Sequence, residues 1–114
     1  MARYLDEAQA AAAGFTIAHE PEAHRFTVTH ATAAGPELVG EAHYSLLGET
    51  VIDFDHTLVT PTLRGTGLSG LLAQHALSSE LAQSRRIAAS CWFIEGYLKK
   101  HPELRSASTP TDQG

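Results

Sequence analysis

The sequence predicts an α+β domain on one mixed sheet: an antiparallel meander, then a β-α-β crossover, then a C-terminal helix. Three observations predict it. Short segments of alternating apolar and polar residues recur through the first half, separated by turn residues. Good helix formers then run from Gly67 to about Gln83. A short apolar stretch, Arg86 to Cys91, and a second helical stretch follow. Short turns favour antiparallel neighbours, whereas a strand, a helix and a further strand are long enough for a parallel crossover.

The opening MARYLDEAQAAAAGF carries Asp6 and Glu7 where a signal peptide needs positive charge, and its alanine run is weakly hydrophobic. A short N-terminal helix or a loose arm is expected over 1–14. Phe15 to His19 alternates as a strand, and Glu20 to His24 is a turn. Arg25 to His30 alternates again and pairs with the first strand as a hairpin. Ala34-Gly35-Pro36 turns into a third strand, Leu38 to Leu46, and Gly48-Glu49 turns again. Val51 to Val59 is the strongest strand. Strict alternation puts Ile52, Phe54, His56 and Leu58 on one face, and Val51, Asp53, Asp55, Thr57 and Val59 on the other.

Thr60-Pro61 ends that strand. The helix after it has leucines at 68, 71, 72, 77 and 81, a wide apolar arc that predicts a largely covered helix. Arg86 to Cys91 reads as a buried strand, and Ile94 to His101 as a short helix stopped by Pro102. Trp92 and Phe93 are expected to line the core. The polar tail, 105–114, is expected to be disordered. One domain over 15–104 accounts for the rest.

The 114 residues carry a net charge of −5, with no basic cluster larger than Arg85-Arg86 or Lys99-Lys100, which argues against a nucleic-acid surface. No apolar run reaches the ~20 residues of a membrane span. The single cysteine, Cys91, excludes an internal disulfide and fits a cytoplasmic setting. Seven scattered histidines form no H-x-x-x-H or H-E-x-x-H pattern, so no metal site is expected.

Gly65-Thr66-Gly67-Leu68-Ser69-Gly70 is a literal G-x-G-x-x-G. A dinucleotide fold would place it directly after the first strand, with a carboxylate about 20 residues on. Here Thr60 to Arg64 intervene, about three strands precede, and no carboxylate ends the next strand. No Gly-Lys-Ser/Thr completes a Walker motif. The anion physics survives: free amides and a helix dipole attract phosphate, glycines allow close approach, and Arg64 adds charge. The competing reading is a turn that only aims the helix.

Val59 to Leu68 resembles the acetyl-CoA-binding segment of the GCN5-related N-acetyltransferases (GNAT), whose motif is Gln/Arg-x-x-Gly-x-Gly/Ala after the fourth strand. Arg64, Gly67 and Ser69 stand at its three defined positions, Ser69 departing from Gly or Ala. The resemblance extends to the short YjdJ-type branch through His24-Arg25-Phe26, Ile52-Asp53-Phe54-Asp55-His56-Thr57, Pro61, Leu63 to Gly67, Cys91-Trp92-Phe93, Tyr97 and His101-Pro102-Glu103. It covers roughly Phe15 to Leu104, with Leu104 in place of an aromatic residue.

This resemblance implies the GNAT-like sheet and acetyl transfer from acetyl-CoA to an amine. It implies that Leu58, Val59 and Thr60 pair with the pantetheine arm, and that Arg64, Gly65, Thr66, Gly67, Leu68, Ser69 and Gly70 cradle the pyrophosphate. Phe93, Tyr97 and His101 join the cofactor-contacting set. His56 is the general-base candidate, since an unperturbed imidazole titrates near ~6.5; the alternative is packing beside Phe54 and Leu58. Asp53 and Asp55 are read first as strand-face residues and second as bases. Cys91 is a nucleophile or a pocket-lining thiol. Tyr97 protonates the leaving thiolate or packs on the cofactor.

The acceptor is a small amine, a polyamine or a protein lysine, and negative charge favours a cation. A monomer or weak dimer is expected. A non-catalytic coenzyme A-binding or sensing module and a protein-interaction domain are the alternatives to an enzyme.

Overall fold

The computed structural model describes residues 3–63 and 65–104. The expected tail, 105–114, and Arg64 lie outside the described residues. Helix α1 (Glu7–Ala12) precedes a five-stranded sheet of β1 (Phe15–Glu20), β2 (Arg25–Thr32), β3 (Gly35–Leu47), β4 (Val51–Val59) and β5 (Arg86–Ala89). Helices α2 (Leu68–Ser78) and α3 (Glu80–Gln83) bridge β4 and β5, and α4 (Trp92–Lys100) follows. Strand order is β1-β2-β3-β4-β5, antiparallel as far as β4 and parallel between β4 and β5. The predicted meander and crossover are therefore the observed fold.

Helix α1 begins where Asp6 accepts the Gln9 amide through its side chain, satisfying one of the unpaired donors of a helix start. The long predicted helix is two. Ser79 adopts an extended conformation (φ −66°, ψ 155°), accepts the Ala82 amide on its Oγ, and restarts the chain as α3. Serine competes for backbone hydrogen bonds in this way, so good helix formers on either side do not carry α2 through it. Strand β5 ends at Ala89, and Ser90 and Cys91 turn into α4, which starts two residues earlier than predicted.

The core lies between one sheet face and the helices. Phe26, Val28, Ala42, Tyr44, Ile52 and Phe54 meet Leu68, Leu72, Ala76 and Leu77 of α2 and Ile94 and Leu98 of α4. Burying each leucine contributes roughly 1.5–3 kcal/mol. Trp92, expected in the core, is 83% exposed: as the first residue of α4 it points away from the face that buries Ile94 and Leu98. Thr16, Ala18, His56 and Leu58 are exposed along the opposite sheet face.

Strand β4 breaks its own alternation. His56 pairs with His43 and Phe54 with Tyr44, which leaves Asp55 as an extra residue, a β-bulge. Before it, the carbonyls of Thr50 and Phe54 accept the amides of Arg86 and Cys91 on the β5 side. After it, the Thr60 amide donates to Val39 of β3. Even-numbered residues thus point toward β5 before Asp55 and toward β3 after it. The same slip corrects the predicted facing: Ile52 and Phe54 are buried, while His56 and Leu58 are exposed. His56 does not pack beside Phe54.

Candidate functional site

Two features built by local sequence meet at the C-terminal end of β4. The first is a fork. β4 and β5 pair only from Val51–Arg86 to Phe54–Ala89. Beyond Phe54 the chain turns at Ser90 and Cys91 into α4, and the far half of β4 has no β5 neighbour. Ladder alternation then turns the backbone groups of Thr57 and Val59 into the fork, because Thr60 is bonded to β3. The turn is fixed by Asp53, whose carboxylate accepts the Ser90 amide (2.9 Å) and hydroxyl (2.8 Å). Asp55 accepts the Ser45 hydroxyl at 2.7 Å. Both carboxylates are thus held in structural contacts.

The second feature is the glycine loop. Gly65 (φ 84°) and Gly67 (φ 88°) occupy the left-handed region, where glycine has no steric penalty. Gly67 is the N-cap of α2 and offers no side-chain cap. The first bond of the helix is Leu71 amide to Gly67 carbonyl. Among the described residues the Leu68 amide finds the Thr66 hydroxyl alone, at 3.4 Å, and the Ser69 and Gly70 amides stand at the positive end of the helix. Thr66 is buried, its hydroxyl donating to the Leu63 carbonyl, and Leu68 is a core residue. Of the predicted cradle, therefore, the Thr66 and Leu68 side chains shape the turn rather than face a ligand.

A cavity of about 360 Å³ at the fork is lined by Thr57, Leu58, Val59, Ser69, Trp92 and Phe93. A second, of about 490 Å³, surrounds Gly65, Gly67, Ser69 and Gly70 and reaches Phe93, Tyr97 and His101. Ser69 and Phe93 belong to both walls, so the two cavities adjoin. The structure brings together Leu58, Val59, Gly65, Gly67, Ser69, Gly70, Phe93, Tyr97 and His101 of the predicted set. Thr60 instead lines a separate apolar pocket with Leu38 and Leu58.

The candidate catalytic residues separate. The Cys91 thiol, half-buried, lies 3.6 Å from the Thr57 hydroxyl within the fork. His56 stands on the other sheet face, its ring 6.3 Å from that of His43. His43 contacts Glu41 at 3.0 Å, and Glu41 also accepts Arg25 at 2.8 Å. Burial pushes the Glu41 carboxyl up, but the hydrogen bonds from Arg25 and His43 outweigh it and hold the group below its ordinary value. Tyr97 sits in the loop cavity, with its hydroxyl donating to Gln74 at 3.2 Å. Burial, and then Glu103, push the phenol up, so it keeps its proton at neutral pH. His101 both caps α4 and stacks on Tyr97, with centroids 4.4 Å apart.

Sequence reading missed Thr57, which the bulge turns into the fork, and the segment Arg3–Tyr4. The Tyr4 amide donates to the Thr66 carbonyl at 2.7 Å, laying the N-terminal segment along the glycine loop. The pattern Asp6-x-x-Gln9 signals the helix that anchors this segment. No local signal predicts its contact with a loop sixty residues away.

Comparison with known proteins gives consistent results. The sequence model of the family described as GCN5-related N-acetyl-transferase matches residues 25–107. The chain is 32% identical over 59 residues to the proteins named Protein NATD1 from Gallus gallus and Mus musculus, covering 52% of this chain and 54% of each relative. The Homo sapiens protein of that name is also 32% identical over 59 residues, with 52% of each chain covered. The match spans about half the length of these curated relatives.

Proposed function

The chain belongs to the GCN5-related N-acetyltransferase family, and from that premise we propose that it binds acetyl-CoA and transfers the acetyl group to a primary amine. The observation that carries this reading is the adjacency of the forked sheet to the uncapped, glycine-lined start of α2. An extended amide-bearing arm needs an open strand edge, and a pyrophosphate needs free backbone amides at close approach. Both stand in adjoining cavities here. The sequence landmarks support the finer placement in the short YjdJ-type branch, and a cytoplasmic setting is part of the same proposal.

Bound acetyl-CoA supplies the activated acyl group as a thioester. The backbone of Thr57 and Val59 would bind and orient the pantetheine arm, with Phe93 excluding water around it. Ser69 and Gly70 present amides to the pyrophosphate, and Arg64 adds its charge. Cys91 and Thr57 line the fork where the acyl group rests. His56, on the uncovered face beside the fork, accepts the proton of an amine arriving from that side. Tyr97, in the loop cavity with its hydroxyl donating to Gln74, would pack against the nucleotide portion of the cofactor. The open face and the acidic groups around Glu41, Asp53 and Asp55 suit a cationic acceptor, such as a polyamine or a lysine side chain.

Calorimetric titration with acetyl-CoA and with coenzyme A is the direct test. One-site micromolar binding, followed by acetylation in a panel of polyamines, small amines and lysine peptides, is the expected result. Binding with no turnover across the panel would favour a coenzyme A-binding or sensing module. No binding by the folded, ligand-free protein would refute the proposal and leave the interaction-domain reading.

A further inference from the structure

The loop cavity has a charge pattern that a pyrophosphate cradle alone does not require. Arg3 enters its wall from the N-terminal segment, and Lys100 and His101 enter from the end of α4. Among the described residues no carboxylate side chain lines it, although the chain has thirteen Asp and Glu residues against eight Lys and Arg. Neither Arg3 nor Lys100 has an ion-pair partner among the described residues, whereas Arg25 and Lys99 do. His101 is paired with Glu103 at 3.4 Å. Two unpaired cations from opposite ends of the chain facing one cavity imply an anionic ligand group there.

Arg3 is held in place. The Tyr4 amide bonds Thr66, and a Cβ on Gly67 would stand 2.8 Å from the Tyr4 carbonyl oxygen and 3.9 Å from Arg3 Cγ. Behind it, Tyr4 packs on Phe15 at 5.4 Å, and Glu7 of α1 pairs with His75 of α2 at 2.9 Å. Across the cavity, the stacked rings of Tyr97 and His101 form a flat aromatic wall. A flat wall beside two cations suits a purine nucleoside carrying a phosphate of its own, in addition to the diphosphate held at the loop.

We propose that Arg3 and Lys100 recognise the ribose 3′-phosphate at the nucleotide end of coenzyme A, so that the N-terminal segment is part of the cofactor site. The proposal rests on the coenzyme A reading above and adds selectivity for the 3′-phosphorylated form. Calorimetric titration of the full chain with coenzyme A and with 3′-dephospho-coenzyme A separates the two. The wild-type chain should bind coenzyme A at least about tenfold more tightly, a preference worth about 1.4 kcal/mol. The double variant Arg3→Ala/Lys100→Ala should lose that preference while keeping its affinity for the dephospho form, and the preference should weaken with added salt. Both positions are exposed, and matching thermal melts would show the variant folded. Equal wild-type affinity for the two ligands would overturn the 3′-phosphate assignment and leave the coenzyme A reading standing. So would a variant that loses affinity for both alike. Binding of neither ligand would overturn both.

Discussion

The Cys91 thiol lies 3.6 Å from the Thr57 hydroxyl, one residue from each side of the fork in the sheet. Cys91 reaches that point because its amide bonds the Phe54 carbonyl, the last rung between the two strands. No Lys, Arg or His contacts the thiol among the described residues. Cys91→Ala should therefore keep acetyl-CoA binding and turnover within a few-fold. Intact-mass spectrometry after incubation with acetyl-CoA should find no hydroxylamine-labile acetyl adduct; such an adduct, absent from the alanine variant, would establish a covalent route.

His56→Gln should leave cofactor affinity unchanged and lower kcat for an accepted amine by about 10²-fold or more, the range of a lost general base. Calorimetry and steady-state kinetics on the same preparation check the two halves. A variant at full kcat would reduce His56 to a surface residue.

The glycines of the loop should respond differently. Gly67→Ala combines a positive φ with a 2.8 Å approach to the Tyr4 carbonyl, so it should cost about 1–3 kcal/mol and displace the N-terminal segment. A Cβ at Gly70 meets only a ring carbon of Tyr97 at 3.7 Å. Gly70→Ala should fold at least as stably, since alanine is worth up to ~1 kcal/mol over glycine within a helix, while narrowing the cavity and weakening coenzyme A binding. Thermal melts beside titrations would show the contrast, and Gly70 is the cleaner probe of the cradle.

Asp53→Ala should remove both bonds to Ser90 and loosen the start of α4, costing about 1 kcal/mol. Denaturant melts measure this. If stability held while kcat collapsed, Asp53 would be chemical rather than structural.

Stability should fall toward acid through His19. Its ring stacks on Phe26 at 4.2 Å and its Nε2 lies 2.7 Å from the Tyr44 hydroxyl. Burial, and then His75, hold its imidazole below the ordinary value of 6.5. The unfolded chain then binds more protons than the folded one between the two values, so stability rises with pH across a window just below 6.5. Urea melts at about pH 5 and about pH 7.5 should show it, with His19→Gln reducing the difference. An unchanged difference would assign the effect to other groups.

The meander, the crossover and the glycine loop were legible because each is written in local pattern: alternation, turn residues and a positive-φ requirement at Gly65 and Gly67. The sidedness of His56 was not. Alternation through Val51–Val59 is unbroken in composition, and the slip at Asp55 arises from pairing with β3, which no window along β4 contains. The break at Ser79 was hidden by good helix formers on both sides. Arg3 stayed out of sight for a related reason: its position depends on α1 docking to β1 and α2, a contact between distant parts of the chain.

The extra residue at Asp55 means that the opening in this sheet is encoded by count rather than by chemistry. Were Asp55 paired regularly with β3 instead, the parity of β4 would run on unchanged, turning the Thr57 and Val59 backbone groups toward β3 and swinging His56 inward. Any substitution at Asp55 leaves that count intact. A scan of side chains along β4 would thus pass over the device, which shows only in the register against β3.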